Sequence, residues 1–201
     1  EVEAGNQPPA QKVHFNWMAR GEPFMNEDLI WKWEELSTRL KSLARAALVL
    51  FDPEVKFKIS TIIPMETYDT NFVVQRMTAN KELHRKLKEL MSGTTKPEIY
   101  YSLYSIDIGF RKRWLPKSHF PIEALEVLTN SQRELDFDVT LHWAYIEGEN
   151  DSEDDTQTIK NLINLTGLKA KFNLVRYNPY SPDQGKEPPG EVLQRTFQET
   201  S

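Results

Sequence analysis

Runs typical of β-strands alternate with runs typical of amphipathic helices along most of the sequence. Alternating apolar, β-branched and aromatic residues predict strands at 13–18, 55–62, 98–106, 138–148 and 171–180. Apolar residues at helical spacing predict helices at 29–47, 80–91, 121–134, 153–166 and 191–199. Strands that alternate with helices indicate parallel βαβ units, so the fold class is α/β. Periodicity alone leaves two topologies open: a doubly wound sheet, or a whole or partial barrel.

The boundaries of several helices carry their own signals. Asn26 stands where an N-cap is expected, and Glu27 and Asp28 follow in the first turn, where carboxylates suit the helix dipole. Gly93 and Gly167 stand near the expected ends of two later helices. The stretch Arg-Gly-Glu-Pro at 20–23 therefore predicts a turn between the first strand and its helix.

Polar residues follow the predicted strands at the end where all strand-to-helix loops should meet. In chain order they are Gly21, Glu22, Ser60, Thr61, Ser102, Tyr104, Asp107, Glu147, Asn150 and Asn178. These neutral or acidic groups suit a ligand with an ammonium group and hydroxyls better than a phosphate. Neither GxGxxG nor GxxxxGK[ST] occurs, which disfavours a nucleotide bound through its phosphates.

Composition excludes several kinds of chemistry. The 201 residues contain no cysteine, which excludes disulfides, thiol nucleophiles and cysteine-ligated zinc or iron–sulfur clusters within this chain. The four histidines lie far apart, so we expect no metal site built from this chain alone. No apolar run is long enough to span a bilayer. The net charge of -5 gives no overall footprint for nucleic acid.

The domain organisation follows from length and from the polar amino terminus. We expect one domain at 13–201, preceded by a linker at 1–12 that is polar and contains two prolines. The chain opens on Glu1 rather than Met, so we expect further residues upstream in the intact protein.

Five short motifs together resemble a known family. They are GEP at 21–23, STII at 60–63, SLY at 102–104, ENDSEDD at 149–155 and VRYNPYSP at 175–182. In order and spacing the series is similar to that of the radical S-adenosylmethionine (SAM) methyltransferases that act on carbon 2 or carbon 8 of an adenosine in ribosomal or transfer RNA. The family pattern has GEP, STSG, SLHA, a loop with Asn-Asp, and P-x-N-P. The resemblance runs from about Val13 to Glu199.

The resemblance implies a partial (β/α) barrel, usually of six strands, of which about five parallel strands are present. It implies SAM as a ligand and RNA as a partner, in a cytoplasmic protein. Glu22, with Gly21, would receive the amino group of SAM, because a carboxylate binds an ammonium strongly. Ser60 and Ser102 would bind its carboxylate or ribose, with Leu103 and Tyr104 beside them, and Asn178 would reach the adenine or ribose side.

Two departures from the family pattern matter. STSG has become STII and SLHA has become SLYS, so a glycine and a histidine that shape the pocket are replaced. The family's CxxxCxxC motif for a [4Fe–4S] cluster and its two further cysteines are missing, so no residue of this chain is assigned a catalytic role. We expect the cluster only in an intact protein with additional amino-terminal and carboxyl-terminal segments, since a missing first strand would expose a sheet edge.

Two other functions stay open. One is a cluster-free relative that binds a nucleoside, RNA or a protein partner without turnover, which the missing cysteines and altered motifs favour. The other is a radical SAM enzyme with a different substrate.

The run FRKRW at 110–114 combines cations with aromatic rings. Arg111, Lys112, Arg113 and Trp114 are candidates for contact with an RNA backbone and a stacked base, or form a solvated helix face with one aromatic packed inward. The remaining tryptophans, Trp17, Trp31, Trp33 and Trp143, are expected in the core. The acidic loop at 147–155 lacks the glycine and glutamate of an EF-hand and is expected to lead into a helix.

Overall fold

Five parallel strands form one sheet, in the order in which they occur along the chain. A computed structural model of the protein describes residues 11–18, 21–47, 53–65, 71–179 and 181–194. The strands are β1 (Lys12–Trp17), β2 (Glu54–Thr61), β3 (Glu98–Ser102), β4 (Val139–Trp143) and β5 (Ala170–Leu174). Each strand pairs in parallel with the next, which confirms the predicted α/β fold.

Helices connect the strands. They are α1 (Glu27–Trp31), α2 (Trp33–Ala47), α3 (Phe72–Ser92), α4 (Ile108–Trp114), α5 (Pro121–Leu135) and α6 (Glu153–Thr166). Short 3-10 helices occur at Pro23–Met25 and Pro182–Gln184, and residues 190–194 are helical. None of the helices in the described parts of the chain is long and apolar enough to cross a membrane.

One face of the sheet carries the hydrophobic core. Strand residues such as Ile59, Ile99 and Leu141 are fully buried there, in one cluster with Leu87 of α3 and Leu128 of α5. Burial of each such side chain stabilises the fold by about 1.5–3 kcal/mol. A doubly wound sheet buries both faces under helices. Here the helices share a core with a single face, so the arrangement is that of a partial barrel.

The opposite face of the sheet is polar. Strand alternation places Lys58, Ser60, Tyr100, Ser102, Thr140 and His142 on it. The Glu98 carboxylate accepts hydrogen bonds from Tyr100 Oη (3.1 Å) and Thr140 Oγ1 (2.9 Å). The Tyr100 and His142 rings meet edge to face with centroids 4.7 Å apart. In a barrel this face lines the interior.

Three strands end well before their predicted ends, whereas β1 and β2 end within one residue of theirs. β3 stops at Ser102 rather than 106, because Tyr104 has a left-handed backbone with φ 55°. β4 stops at Trp143 rather than 148, where a turn begins in which the Asn150 side chain binds backbone groups. β5 ends at Leu174, residues 175–179 are not in a strand, and the predicted end at 180 lies outside the described residues. The shortening leaves long loops at the carboxyl edge.

Two helices also differ from prediction. The helix expected at 29–47 is broken at Lys32 into α1 and α2, although Asn26 caps α1 as predicted by accepting a hydrogen bond from Leu29 N (3.0 Å). The helix expected at 80–91 starts at Phe72, capped by Asn71. Its first turns expose Val73, Val74 and Met77, so they carry no buried stripe that periodicity detects.

Other boundaries agree with the sequence. α6 spans Glu153–Thr166 as predicted, begins in a capping box of Ser152 and Asp155, and ends at Gly167, whose φ is 73°. Most of the expected linker at 1–12 lies outside the described residues, and Lys12 already belongs to β1. The predicted last helix at 191–199 is described only to residue 194. Among the tryptophans, Trp33 and Trp143 are buried, and Trp17 and Trp31 pack against the core.

Candidate ligand site at the carboxyl edge of the sheet

Glu22 joins the end of β1 to the end of β2. It follows Gly21, whose φ is 78°, and precedes the 3-10 helix Pro23–Met25. Its Oε1 accepts hydrogen bonds from Phe24 N (3.0 Å) and Thr61 Oγ1 (2.6 Å), and its Oε2 accepts one from Ile62 N (2.9 Å). Since a carboxylate has about four lone-pair sites, the side chain is fixed by protein donors and retains room for about one further donor.

Ser60 and Ser102 lie on the polar face of the sheet, at the carboxyl ends of β2 and β3. Ser60 is opposite Tyr100 in the β2–β3 register, and Ser102 comes two residues after Tyr100 on the same face. The two hydroxyls are therefore diagonal neighbours at the carboxyl ends of adjacent strands. Ser102 is buried and Ser60 is half-buried.

Leu103 and Tyr104 differ in what they present to the site. The Leu103 side chain is fully buried in the hydrophobic core, so only its backbone is close to the edge. Tyr104 is half-buried, and its carbonyl accepts a hydrogen bond from Asn150 Nδ2 (2.6 Å). Asn150 is fully buried and also binds Ile146 N and Ala144 O, so it ties the β3 and β4 loops together instead of facing a ligand.

Asn178 stands apart from the other predicted ligand residues. It is exposed in the loop after β5, whereas Glu22, Ser60 and Ser102 belong to the ends of β1, β2 and β3. Three strand spacings separate β2 from β5, or roughly 14 Å across a flat sheet and less across a curved one. The predicted residues thus follow strands that end at the same edge, and Asn178 follows the strand farthest from Glu22 in the sheet.

The predicted RNA-contact residues divide into buried and exposed members. Arg111 is 4% exposed, and its guanidinium donates to the carbonyls of Leu103, Ser105 and His119. This corrects the expectation for Arg111, because a buried guanidinium bound to backbone carbonyls is out of reach of RNA. Lys112 and Arg113 are exposed, with Arg113 paired to Glu149.

Trp114 also faces its own fold. Its ring stacks on Phe110 and meets Tyr177 edge to face, and its Nε1 donates to Glu149 (3.3 Å). The side chain remains half-buried, so part of the ring is accessible.

Two buried residues near the edge were not singled out in the sequence. Lys86 lies inside the fold, where burial lowers its pKa below the ordinary value. Its position between Leu83 and Leu90 on the apolar stripe was the available signal. His142 lies on the polar face, where burial lowers its pKa, and its Nε2 has no hydrogen-bond partner within the described parts of the chain.

The structure resembles solved radical SAM enzymes. A radical SAM methyltransferase from Sphaerobacter thermophilus aligns with a TM-score of 0.60 at 19% identity, over 98% of this chain and 49% of that one. A domain of pyruvate-formate lyase-activating enzyme from Bacteroides vulgatus aligns with a TM-score of 0.50 at 18% identity, covering 92% and 90%. At these identities the likeness concerns the fold. The fold is thus an α/β sheet of the kind found in radical SAM enzymes.

Sequence comparison points to RNA methyltransferases. A probable RNA methyltransferase of Pseudomonas paraeruginosa is 34% identical over 111 residues, 54% of this chain and 32% of that protein. The dual-specificity RNA methyltransferase RlmN of Nitratiruptor is 27% identical over 194 residues, 92% of this chain and 46% of that protein. No protein-family model matches. The predicted resemblance is confirmed: the chain is similar in sequence to proteins named RNA methyltransferases, and it spans about a third to a half of their length.

Proposed function

We propose that this chain is the SAM-binding part of a radical SAM enzyme that methylates RNA, and that Glu22 receives the ligand's ammonium group. The observation that carries the proposal is the Glu22 carboxylate, fixed at the carboxyl edge by Phe24, Thr61 and Ile62 with capacity for about one more donor. An ammonium bound to a pre-oriented carboxylate forms a charge-assisted hydrogen bond, worth about 1.5–3 kcal/mol.

The remaining polar groups at the edge suit the rest of SAM. The adjacent hydroxyls of Ser60 and Ser102 bind its carboxylate or ribose, beside Leu103 and Tyr104. The exposed Asn178 amide both donates and accepts, which matches the edge of an adenine or a ribose. These residues follow four different strands, β1, β2, β3 and β5, so one ligand that contacts them all is of nucleoside size rather than a small ion.

The residues of this chain do not fit a [4Fe–4S] cluster held by thiolates, because the sequence contains no cysteine. Within the described residues, no group of three or more histidine, aspartate or glutamate side chains is arranged to hold a metal ion. In the proposal, cysteines outside these 201 residues hold the cluster in the intact protein. This chain supplies the position and orientation of SAM.

RNA is the proposed methyl acceptor, with an adenosine as the target. The support is that the relatives are named RNA methyltransferases. Exposed Lys112 and Arg113, with the accessible part of Trp114, are the candidate contacts to RNA from this chain.

Ligand-observed NMR with the 201-residue chain tests the proposal. We expect saturation transfer to SAM from the wild-type protein and at least about a tenfold weaker affinity for Glu22→Gln, since tenfold corresponds to about 1.4 kcal/mol. Glu126→Gln, an exposed position on α5, is the matched control and should bind as wild type does. Ser102→Ala probes the second half of the site without touching the Glu22 turn.

Two results would overturn parts of the proposal. If the wild-type chain transfers no saturation to millimolar SAM, it is not a SAM-binding unit. If it binds SAM but the intact protein isolated without oxygen contains no iron, the cluster-free binding alternative replaces the enzyme.

A further inference from the structure

Lys86 is a charged residue inside the fold, directly behind the Glu22 turn. It is 4% exposed on α3, with Leu83, Leu87 and Leu90 along the same helix. A buried ammonium is costly unless it is paired and hydrogen-bonded. Burial lowers the pKa of Lys86, while the nearby carboxylates of Glu27 and Glu22 act in the opposite direction. The geometry around the ammonium shows what it binds.

Phe24 links Lys86 to Glu22. The Lys86 ammonium donates a hydrogen bond to the Phe24 carbonyl and lies 3.7 Å from the Glu82 carboxylate, and the Phe24 amide donates to Glu22 Oε1 (3.0 Å). Phe24 is 1% exposed and forms the middle of the three-residue 3-10 helix Pro23–Met25. The two backbone groups of one residue thus connect the buried lysine to the carboxylate.

A cavity lies beside the hydrogen bond between Lys86 and Phe24, so packing alone does not fix the position of the turn. It has a volume of about 110 Å³ and is lined by Phe24, Ile63, Leu83 and Lys86, among others. Close packing therefore does not fully hold the turn on that side. The hydrogen bond from Lys86 holds the turn from α3, while Thr61 and Ile62 hold the carboxylate from β2.

We propose that Lys86 is a positioning residue for Glu22. It fixes the Phe24 carbonyl, and through Phe24 the direction in which the Glu22 carboxylate meets an ammonium group. Lys86 itself touches no ligand. The ligand part of this inference rests on the proposed function of Glu22, but the structural part does not.

Amide hydrogen exchange tests the structural part without any ligand. We expect Lys86→Met, which retains the length of the side chain and removes the donor, to speed exchange of the Phe24 and Ile62 amides at least about fivefold. Lys88→Met removes an exposed lysine from the same helix and should leave both amides unchanged. Equal exchange in the two variants would contradict the proposal.

A second measurement needs no variant and covers the case in which Lys86→Met does not fold. In the wild-type protein, the Nζ protons of Lys86 should exchange slowly enough to be observed by NMR and should show cross peaks to Phe24. Their absence at low temperature and mildly acidic pH would overturn the assignment.

A double-mutant cycle tests the link to the ligand. Lys86→Met should weaken SAM binding about five- to tenfold, yet add little to the loss in Glu22→Gln, because residues in one hydrogen-bonded chain are not additive. Additive losses would show that Lys86 acts independently of Glu22 and would overturn the proposal. A wild-type chain that binds no SAM overturns the proposed function instead, and the exchange experiment still decides whether Lys86 holds the turn.

Discussion

The ends of β2 and β3 share one unusual backbone conformation and stabilise it in different ways. Ile63 has φ 53° and Tyr104 has φ 55°, in the left-handed region that costs a residue with a Cβ about 1–2 kcal/mol. Ile63 is 1% exposed, and its amide donates to Thr61 Oγ1. Tyr104 is half-buried, and its carbonyl is held by Asn150. Burial of the side chain therefore stabilises the turn at Ile63, and hydrogen bonds from polar side chains stabilise the turn at Tyr104.

The conformation of Ile63 accounts for one difference from the motif series that the sequence resembles. STII has isoleucine at position 63, where the STSG pattern has glycine. The backbone at Ile63 nevertheless has a positive φ, which glycine adopts freely. The turn therefore keeps a backbone conformation that glycine would adopt, although the residue is isoleucine. The isoleucine side chain is buried in the core.

Arg111→Met should have the largest effect, because it breaks the polar ties around Tyr104. The guanidinium donates to the carbonyls of Leu103 and Ser105, on either side of Tyr104. Hydrogen bonds from a charged group contribute about 1.5–3 kcal/mol each, so we expect the free energy of unfolding to fall by about 4 kcal/mol. Urea denaturation measures the change. Arg113→Met, at an exposed position, should change it by less than about 1 kcal/mol.

Ile63→Gly should be the next largest change. It relieves about 1–2 kcal/mol of backbone strain, but removal of a buried isoleucine side chain costs about 2–5 kcal/mol, and glycine adds about 0.5–1 kcal/mol of chain entropy. The net expectation is a loss of about 3 kcal/mol, measured by the same denaturation. A variant as stable as wild type would mean that strain, not burial, dominates at this turn.

Much of the fold could be predicted from the sequence, and the reasons for failure are local. Alternating and helical patterns identified all five strands and the capped helix α6, because these depend on neighbours along the chain. The left-handed residues Ile63 and Tyr104 have no sequence signal, since neither is glycine or asparagine. The burial of Arg111 depends on carbonyls of non-helical segments, which periodicity does not reveal. The apolar stripe around Lys86 signals its burial, but not that the Phe24 carbonyl is its partner.

The candidate site divides in the same way. Parallel topology alone brought Glu22, Ser60 and Ser102 to one edge, so their common location followed from the pattern of strands. The sequence pattern could not predict which protein donors bind the Glu22 carboxylate, because Thr61 and Ile62 lie about forty residues away along the chain.

Tyr104→Gly should change stability much less than Ile63→Gly does. The relief of strain and the greater chain entropy of glycine nearly cancel, and the half-buried ring contributes only part of a full burial energy. We expect the unfolding free energy to change by less than about 1 kcal/mol. A loss as large as that of Ile63→Gly would show that the two turns are stabilised alike.

The smallest expected effect is a change in the pH dependence of stability when His119, which binds the Ile63 carbonyl, is replaced. The His119 amide donates a hydrogen bond to the Ile63 carbonyl (2.7 Å). Burial lowers the pKa of the His119 imidazole below the ordinary value of 6.5. The hydrogen bond to the Phe120 carbonyl raises this pKa, and the nearby charges of Arg111 and Arg76 lower it further. The unfolded chain thus binds more protons below pH 6.5, so stability should fall as the pH is lowered from there through the depressed pKa. His119→Gln should flatten this dependence between pH 7.5 and 5.5 in urea titrations. If the pH dependence of the unfolding free energy is the same in His119→Gln, other groups such as His142 cause it.

The sequential order of the strands also has a consequence for folding during synthesis. Each strand pairs with the one made just before it, from β1 to β5. When each of β2 to β5 is synthesised, the strand with which it first pairs has therefore already left the ribosome. The growing chain extends one sheet in one direction, and its newest strand is always the template for the next.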